Sequence, residues 1–514
     1  MLLGLSIRTT LPSYTLPIKK LSCSHLRNAL LGPICVIFLR VNMFNHENTQ
    51  SETEFLNRKE VQTVLWNSLE LNIPPTVYPP RQDTDLLHQV LASITPFGSK
   101  RLLEIGSGSG AVSIAAAMRG WTVHACDINP YAVAATQYNA KRAEVEVNAS
   151  EGGIGPIESA HSIQAWSPGT YDMVVWNMPY IPAEEIQGNV LGPMEEAALV
   201  DTHPEGLLSV FARWMANNTL TKITGTALLV CRGHVGHRRS IDVLRQHGLA
   251  ARIVQSTTFE DNEAIHVVAV WHPFVSSRHH KLREIDSTNA ELLRGTYNAG
   301  DSLVATVQTS GRGRHGHDWQ DHPESFKGSW VVDSKQLRSI TPQQQLFVAQ
   351  EINAALQFKE EHMSLLSTKW PNDLLLRTKD DAMWRKYGGI LFQSYSKGDE
   401  QRVVLGIGVN VNQDSLNSGQ GSIEDVDIHL TASELFPILH AVVASLFEAK
   451  HPTIATLPGG EINMDSLLKN CFYRNQMHTV ESVSSHDLVL VSEENERQVV
   501  TDDVGINWTD LHPQ

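Results

Sequence analysis

A short apolar run, Arg101-Leu-Leu-Glu-Ile105, ends in three glycines at alternate positions, Gly106-Ser-Gly-Ser-Gly110, which lead into Ala111-Val-Ser-Ile-Ala-Ala-Ala-Met118. The order is strand, glycine loop, helix, because the last segment is rich in helix formers and the first has the length of a buried strand. Alternate glycines let the backbone pass close to a ligand, and the free N–H groups of the following helix face it. A second strand, Trp121-Thr-Val-His-Ala-Cys126, ends in Asp127, 21 positions after Gly106. A carboxylate there can accept hydrogen bonds from both hydroxyls of a ribose. These pieces commit the region to a wound α/β sheet with its ligand at the C-terminal ends of the strands.

That sheet cannot be the whole molecule. The chain has 514 residues, whereas one core usually serves about 100–200, so a second domain is expected. Hydrophobic residues at 41% and charged residues at 19% are a globular composition and tell against a disordered chain. A net charge of −15 tells against a broad basic face, so neither nucleic acid nor an acidic membrane is expected as a partner. Five scattered cysteines without a C-x-x-C pair fit a reducing, cytoplasmic setting and no zinc finger. Residues 1–49 differ: no Asp or Glu precedes Glu47, and Arg8, Lys19, Lys20, Arg27 and Arg40 make the stretch basic. Its apolar run, Leu30 to Leu39, is shorter than the roughly 20 residues of a spanning helix. This leader is expected to be disordered or a spurious extension ahead of Met43.

Further along, Tyr171-Asp-Met-Val-Val-Trp176 reads as a buried parallel strand with Asn177-Met-Pro-Tyr180 at its C-terminal end. An amide nitrogen is a poor nucleophile because its lone pair is delocalised. The Asn177 side-chain oxygen and the Met178 carbonyl can accept both of its N–H bonds while the Tyr180 ring stacks on the planar group. G-x-G-x-G preceded by Glu104 is similar to the loop of S-adenosylmethionine-dependent methyltransferases. With Val77-Tyr-Pro-Pro-Arg-Gln-Asp-Thr-Asp-Leu86 and Asp127, the region from about Val77 to Trp271 resembles the glutamine-N5 methyltransferases of translation release factors, in their single-domain branch. The resemblance implies a Rossmann-like class I methyltransferase domain over 50–273. It also implies S-adenosylmethionine bound by Glu104, Gly106, Gly108, Gly110 and Asp127, catalysis by Asn177 and Tyr180, and a release factor as partner. Met178 stands where the family has proline, and Gln164 where it tends to have an acid. Two other readings stay open: a DNA amino-methyltransferase, and a silent S-adenosylmethionine-binding scaffold. Against the first, residues 44–273 hold 15 Lys and Arg to 24 Asp and Glu, an acidic balance for a duplex-gripping enzyme.

The second half opens after a connector, Pro273 to Lys281. Val307-Gln-Thr-Ser-Gly-Arg-Gly-Arg-His-Gly-His-Asp-Trp319 contains G-x-G-x-x-G, but no helix-forming stretch comes after it. In a glycine loop, Arg312 and Arg314 can instead fold over a phosphate with forked hydrogen bonds. Four more segments accompany it: Glu284 to Asn289, Thr368 to Leu374, Arg385 to Leu391 and Val404 to Asn412. Together they resemble the catalytic domain of biotin protein ligases, with Leu467 to Trp508 similar to that family's small C-terminal β-barrel.

The resemblance implies an α+β, class II synthetase-like catalytic domain over 276–460 and an SH3-like barrel over 461–514. The implied reaction joins biotin to ATP, with Mg2+, as biotinyl-5′-AMP, and passes the biotin to a lysine of a biotin carboxyl carrier protein or domain. Ser287, Thr288, Gln308, Gly406 and Gly408 would meet biotin, and Arg312, Arg314 and Lys386 the phosphates and carboxylate. Asp373 would orient the lysine or a magnesium shell. Asn372 and Asn410 would lie toward the nucleotide, and Trp319 on adenine or over biotin. His317 replaces the last arginine of the family loop and Gln393 an acid. Asp373 and Lys386 are separated by a lengthened hairpin. The helix-turn-helix of repressor-type ligases has no counterpart here, so repression is not expected. His279-His280 and His234/His237 lack carboxylate or cysteine company at ligand spacing, so no protein-held metal is expected. The two halves are expected to work independently, 276–514 sufficing for ligation.

Overall fold

The computed structural model describes residues 60–512 apart from 99, 155–162, 180, 183–199, 202, 234–239, 259–263, 317–318, 323, 333–339, 398–399, 414–415 and 418. The leader, Tyr180, His234, His237 and His317 thus lie outside the described residues, as does the side chain of Gln164. Every described residue belongs to one compact unit within Gln50–Gln514.

A hairpin of β1 (Gln62–Trp66) and β2 (Leu69–Ile73) and helix α1 (Gln82–Ser93) precede the first sheet. Then come β3 (Arg101–Ile105), α2 (Ala111–Met118), β4 (Thr122–Asp127), α3 (Pro130–Arg142), β5 (Val147–Glu151) and β6 (Tyr171–Asn177). After them the chain forms α4 (Leu207–Ala216), β7 (Thr221–Gly233), α5 (Ser240–Gln246), β8 (Ala250–Thr258) and β9 (Ala264–Trp271). The strand order is β8-β9-β7-β6-β3-β4-β5, and β9 alone runs antiparallel to its neighbours. β3 and β6 lie side by side although their connections leave in opposite directions. That reversal opens a crevice at their C-terminal ends, where open α/β sheets hold ligands. Local chemistry fixes the helix starts: Gly110 takes φ +81° ahead of α2, and Asn129 caps α3 through the Tyr131 N–H with Pro130 at its first turn.

The second half is a seven-stranded mixed sheet. Its elements are β10 (His279–Ile285), α6 (Thr288–Arg294), β11 (Ser302–Gln308), β12 (Phe326–Val332), α7 (Pro342–Ala355), β13 (Leu366–Lys369), β14 (Asp373–Leu376), β15 (Arg385–Lys397), β16 (Glu400–Val409) and α8 (Ala432–Phe447). The order is β10-β11-β12-β16-β15-β14-β13, with only β10 and β11 parallel. Capping boxes start both long helices, Thr341 with Gln344 on α7 and Thr431 with Glu434 on α8. The lengthened hairpin between β14 and β15 is docked rather than free: the Trp384 N–H donates to the Asp510 carbonyl at 2.8 Å, and His512 meets Asp381 at 2.8 Å.

Strands β17 (Asn470–Tyr473), β18 (Gln476–Val483), β19 (Leu488–Ser492), β20 (Arg497–Val500) and β21 (Ile506–Trp508) form an antiparallel sheet in the order β20-β19-β18-β17-β21. Among the described residues β20 and β21 do not pair, so the pairing is open where the resemblance implies a closed barrel. Its apolar face, including Leu488, Leu490 and Trp508, packs with Trp370 and Leu375 of the mixed-sheet domain. Among the described residues, no helix is long and apolar enough to cross a membrane.

Two candidate active sites

The first crevice is lined by Glu104, Gly106, Gly108, Asp127, Asn177 and Met178, with Thr76, Asp83 and Thr84 from the segment before α1 and its first turn. The loop turns sharply because Gly106, Gly108 and Gly110 take φ of +70°, +54° and +81°, a region that side chains disfavour. Gly110 is not among the residues lining this crevice; a Cβ there would press on Thr136 at 3.0 Å, so its role is to bring α2 close to α3. Asp127 accepts from the Gly108 N–H at 2.8 Å and the Asn129 N–H at 2.9 Å. Burial raises its carboxyl above the ordinary range, those two donors offsetting part of the rise. Glu104 is buried at the end of β3 and accepts the Ser113 hydroxyl. Burial pushes it up to about 8, and Ser113 draws it back only in part.

Asn177 ends β6 with its amide turned by a carboxylate: Nδ2 donates to Asp83 Oδ2 at 2.9 Å. Its Oδ1 is buried and has no partner, a state that costs roughly 1–3 kcal/mol unless a ligand donor arrives. Asp83 is in turn fixed by the Thr84 N–H at 2.6 Å. Sequence reasoning misses Asp83 as a site residue, although it lies in the Arg81-Gln-Asp-Thr-Asp85 run that carries part of the methyltransferase resemblance. Met178 buries its side chain, with its sulfur 3.9 Å from Cys231 Sγ. The departure from proline is therefore absorbed by core packing, and the backbone carbonyl remains beside Asn177.

The second cavity, of about 650 Å³, is within the range of small-molecule sites, ~300–1,000 Å³. It brings together Ser287, Thr288, Gln308, Arg312, Arg314, Trp319, Asn372, Asp373, Lys386, Gly406, Gly408 and Asn410. At one end the Thr288 N–H and hydroxyl donate to Gln308 Oε1 at 2.8 and 3.0 Å, and Ser329 Oγ lies 2.7 Å from Thr288 Oγ1 and 2.6 Å from Asn289 Oδ1, its single proton serving one of them at a time. Asn289 Nδ2 donates to Gln393 Oε1 at 2.9 Å, so the amide that replaces the family's acid still accepts a hydrogen bond behind the slot. Side chains are excluded from two positions of β16: a Cβ on Gly406 would lie 2.4 Å from Asn289, and one on Gly408 2.5 Å from the Trp319 ring. Trp319 therefore lies flush on the strand.

At the other end Asp373 Oδ1 pairs with Lys386 at 2.8 Å and Oδ2 with Lys369 at 2.7 Å. Burial alone would raise the Asp373 carboxyl, but the two ammonium groups outweigh it and hold it well below the usual carboxylate range. Lys369 belongs to the Thr368 to Leu374 segment, where the sequence alone assigns it no role. Arg314 Nη1 pairs with Asp503 Oδ1 at 2.8 Å, and Asp503 with Val504 also lines the cavity. The C-terminal sheet domain thus supplies a wall of this site, which no local pattern signals. Asn410 Nδ2 donates to the Gly421 carbonyl while its Oδ1 is buried without a partner. His279 bonds Ser302 Oγ at 3.0 Å and packs on His440; among the described residues no group of His, Cys, Asp and Glu could hold a metal.

Residues 80–233 match the family model "Methyltransferase small domain", and residues 281–410 match "Biotin/lipoate A/B protein ligase family". A putative protein N5-glutamine methyltransferase of Methanocaldococcus jannaschii is 35% identical over 118 residues, 23% of this chain and 54% of that protein. A biotin–[acetyl-CoA-carboxylase] ligase of Paracoccus denitrificans is 34% identical over 133 residues, 25% of this chain and 53% of that protein. A solved biotin protein ligase from Aquifex aeolicus, in complex with biotin and ATP, aligns at 20% identity and TM-score 0.33, covering 44% of this chain and 96% of that one. The chain spans about half the length of the curated relatives it matches. The two family matches succeed one another on a single polypeptide, consistent with a fusion.

Proposed function

We propose that this fusion is a bifunctional cytoplasmic enzyme: a protein-glutamine N-methyltransferase, acting on a release factor, followed by a ligase that attaches biotin to a lysine of a carboxyl carrier protein or domain. On this reading the domains are 50–273, 276–460 and 461–514, the last an SH3-like unit beside a class II synthetase-like catalytic domain. The observation that carries the reading is the convergence, in one cavity, of twelve separately identified residues from 287 to 410.

In the ligase site Thr288, Gln308 and Ser287 receive the ureido ring, and Trp319 closes the slot over Gly408. ATP supplies the adenylyl group: a biotin carboxylate oxygen bonds to the α-phosphorus, and pyrophosphate leaves with the bridging electron pair. Lys386, released from Asp373 as the negative phosphates arrive, neutralises charge on the carboxylate and α-phosphate oxygens. Arg312 and Arg314 hold the adenylate, Arg314 exchanging Asp503 for phosphate. Asp373, still paired to Lys369, orients the incoming lysine, whose neutral amine bonds to the acyl carbon as AMP leaves with the C–O electron pair and one N–H proton passes to water. Asn372 and Asn410 face the nucleotide, the unpaired Asn410 Oδ1 accepting from an adenine or ribose donor. In the structure both Asp373 oxygens are engaged by lysines; once Lys386 turns to the phosphates, Oδ1 is open to the incoming lysine or to the shell of a magnesium ion brought in with ATP.

In the methyltransferase site Asp127 takes the ribose hydroxyls, and Glu104 lies toward the positive part of S-adenosylmethionine, which supplies an electrophilic methyl. Asn177 Oδ1 and the Met178 carbonyl accept the two N–H bonds of the glutamine amide, Asp83 holding the Asn177 side chain in register, and Tyr180 stacks on the amide. The nitrogen bonds to the methyl carbon as the methyl C–S bond breaks, the sulfur keeping the electron pair and leaving as the neutral thioether, and one N–H proton passes to water.

Incubating the full chain with biotin, ATP, magnesium and a carrier domain is expected to give streptavidin-reactive carrier. Labelled S-adenosylmethionine is expected to methylate a Gly-Gly-Gln-bearing release factor. Binding of S-adenosylmethionine without incorporation would support the silent-scaffold reading instead, and unlabelled carrier would refute the ligase assignment.

The raised Glu104 gives a pH prediction. Between the ordinary value of 4.5 and its own of about 8, the folded chain holds a proton that the unfolded chain releases. Its contribution to stability therefore falls as pH rises through that window. A cationic ligand favours the ionised carboxylate, so S-adenosylmethionine affinity should rise from pH 6 to about 8 and then level. Titration calorimetry checks this, and Glu104→Gln should give a flat profile over the same range.

A further inference from the structure

The boundary between the two halves is unlike a tether. Interfaces between independent domains of one chain are usually polar and wet, whereas here charged side chains are enclosed across the joint. Arg245, on α5 of the first half, is 2% exposed. Its Nη1 pairs with Asp242 at 3.2 Å and with Glu351 of α7 at 2.7 Å, and its Nε donates to Ser445 Oγ of α8 at 3.2 Å. The same Ser445 hydroxyl accepts the Ala251 N–H of β8 at 2.9 Å.

Arg252, on β8, caps the far end of α8. It donates to the carbonyls of Ser445, Ala444 and Glu448 and to those of Ile454 and Ala455 beyond. Ala444 and Ser445 lie in the last turn of α8 and Glu448 is its C-cap, so three of these carbonyls belong to the negative end of the helix, while Ile454 and Ala455 belong to the segment beyond it. Glu448 answers from the other side, accepting the Trp271 Nε1–H and the Phe274 N–H, each at 2.8 Å. The Gln246 amide donates to the Ala355 carbonyl at the end of α7. Around these bonds one apolar cluster runs without a break from Val230, Val267 and Trp271 of the first sheet to Leu439 and Val442 of α8 and Leu405 of the second sheet.

We propose that β8 and α5 form a docking surface for this chain's own helix α8, so that the two halves fold as one cooperative body and the second depends on the first. Helix α8 lies between the halves. On its far face His440 Nδ1 accepts the Trp330 Nε1–H at 2.9 Å, and the neighbouring Ser329 on β12 sets Thr288 and Asn289 in the second cavity. The first half thus buttresses the wall behind the slot, in contrast to the independence expected from the sequence. This coupling is a property of folding and stands apart from either activity.

Urea unfolding of the ligand-free full chain tests it, with hydrogen exchange read separately in peptides from β3–β4 and from β15–β16. The expected result is one shared midpoint for both sets. Ser445→Ala, which removes the hydroxyl that serves Arg245 and Ala251, should lower both midpoints together, and Arg252→Met should do so further. If Arg252→Met does not accumulate as folded protein, the Ser445→Ala comparison decides. Two separate midpoints in the parent chain, or a Ser445→Ala shift confined to one set, would overturn the proposal. Loss of either catalytic activity with a shared midpoint intact would count against the proposed function and leave this inference standing.

Discussion

Replacing Asn177 by alanine is expected to lower the rate of methyl transfer by about 100- to 1,000-fold, the usual cost of deleting one preorganised hydrogen-bonding group at a reacting centre. S-adenosylmethionine binding and biotin ligation should be nearly unchanged. The geometry behind this is specific. Asp83 engages the Asn177 NH2 group at 2.9 Å, leaving the buried Oδ1 as an acceptor without a donor. Alanine removes the acceptor but leaves β6, whose register with β3 and β7 rests on backbone pairing. Asp83→Asn should give a partial loss, because an amide can still hold Asn177 but no longer dictates which of its ends faces the substrate. Single-turnover incorporation of labelled methyl groups separates these outcomes from changes in ligand affinity. A joint loss of ligation in Asn177→Ala would indicate a misfolded chain.

Lys386→Met is expected to have a comparably large effect on the other reaction, slowing biotinyl-adenylate formation by about 100- to 1,000-fold. The ammonium stands 2.8 Å from Asp373, with Lys369 on the other carboxylate oxygen at 2.7 Å. One lysine is therefore sufficient to keep Asp373 paired while the other turns to the phosphates. In Lys386→Met the Asp373 carboxylate keeps only Lys369, so folding should survive while charge at the α-phosphate goes unanswered. Biotin-dependent pyrophosphate exchange measures the first step directly. An exchange rate equal to the parent's would remove Lys386 from the chemistry.

Local pattern makes the glycine loop, the β6 terminus and the arginine loop legible, because in each the chemistry is carried by residues adjacent in sequence. The crevice of the first sheet is legible too, since a strand–loop–helix start and a later strand ending in Asn177 imply a ligand site between them. Other features depend on contacts that sequence spacing does not encode. Asp83 meets Asn177 across 94 positions, and Asp503 reaches Arg314 across 189. Arg245 and Glu351, 106 positions apart, would each read alone as an ordinary charge on a solvated helix face, yet they are enclosed together. The open pairing of the C-terminal sheet is likewise hidden, because closure depends on how β20 and β21 approach rather than on their composition.

On the proposed reading, ligation turns on a guanidinium and ammonium grip that keeps an activated vitamin from water. The most direct test is to mix the full chain with biotin, α-labelled ATP and magnesium in the absence of any acceptor, and then to separate protein from small molecules. Biotin and the labelled nucleotide are expected to leave the column together with the parent protein, whereas Arg314→Gly should shed the conjugate into the small-molecule fractions. A parent chain that retains neither biotin nor nucleotide would contradict the grip.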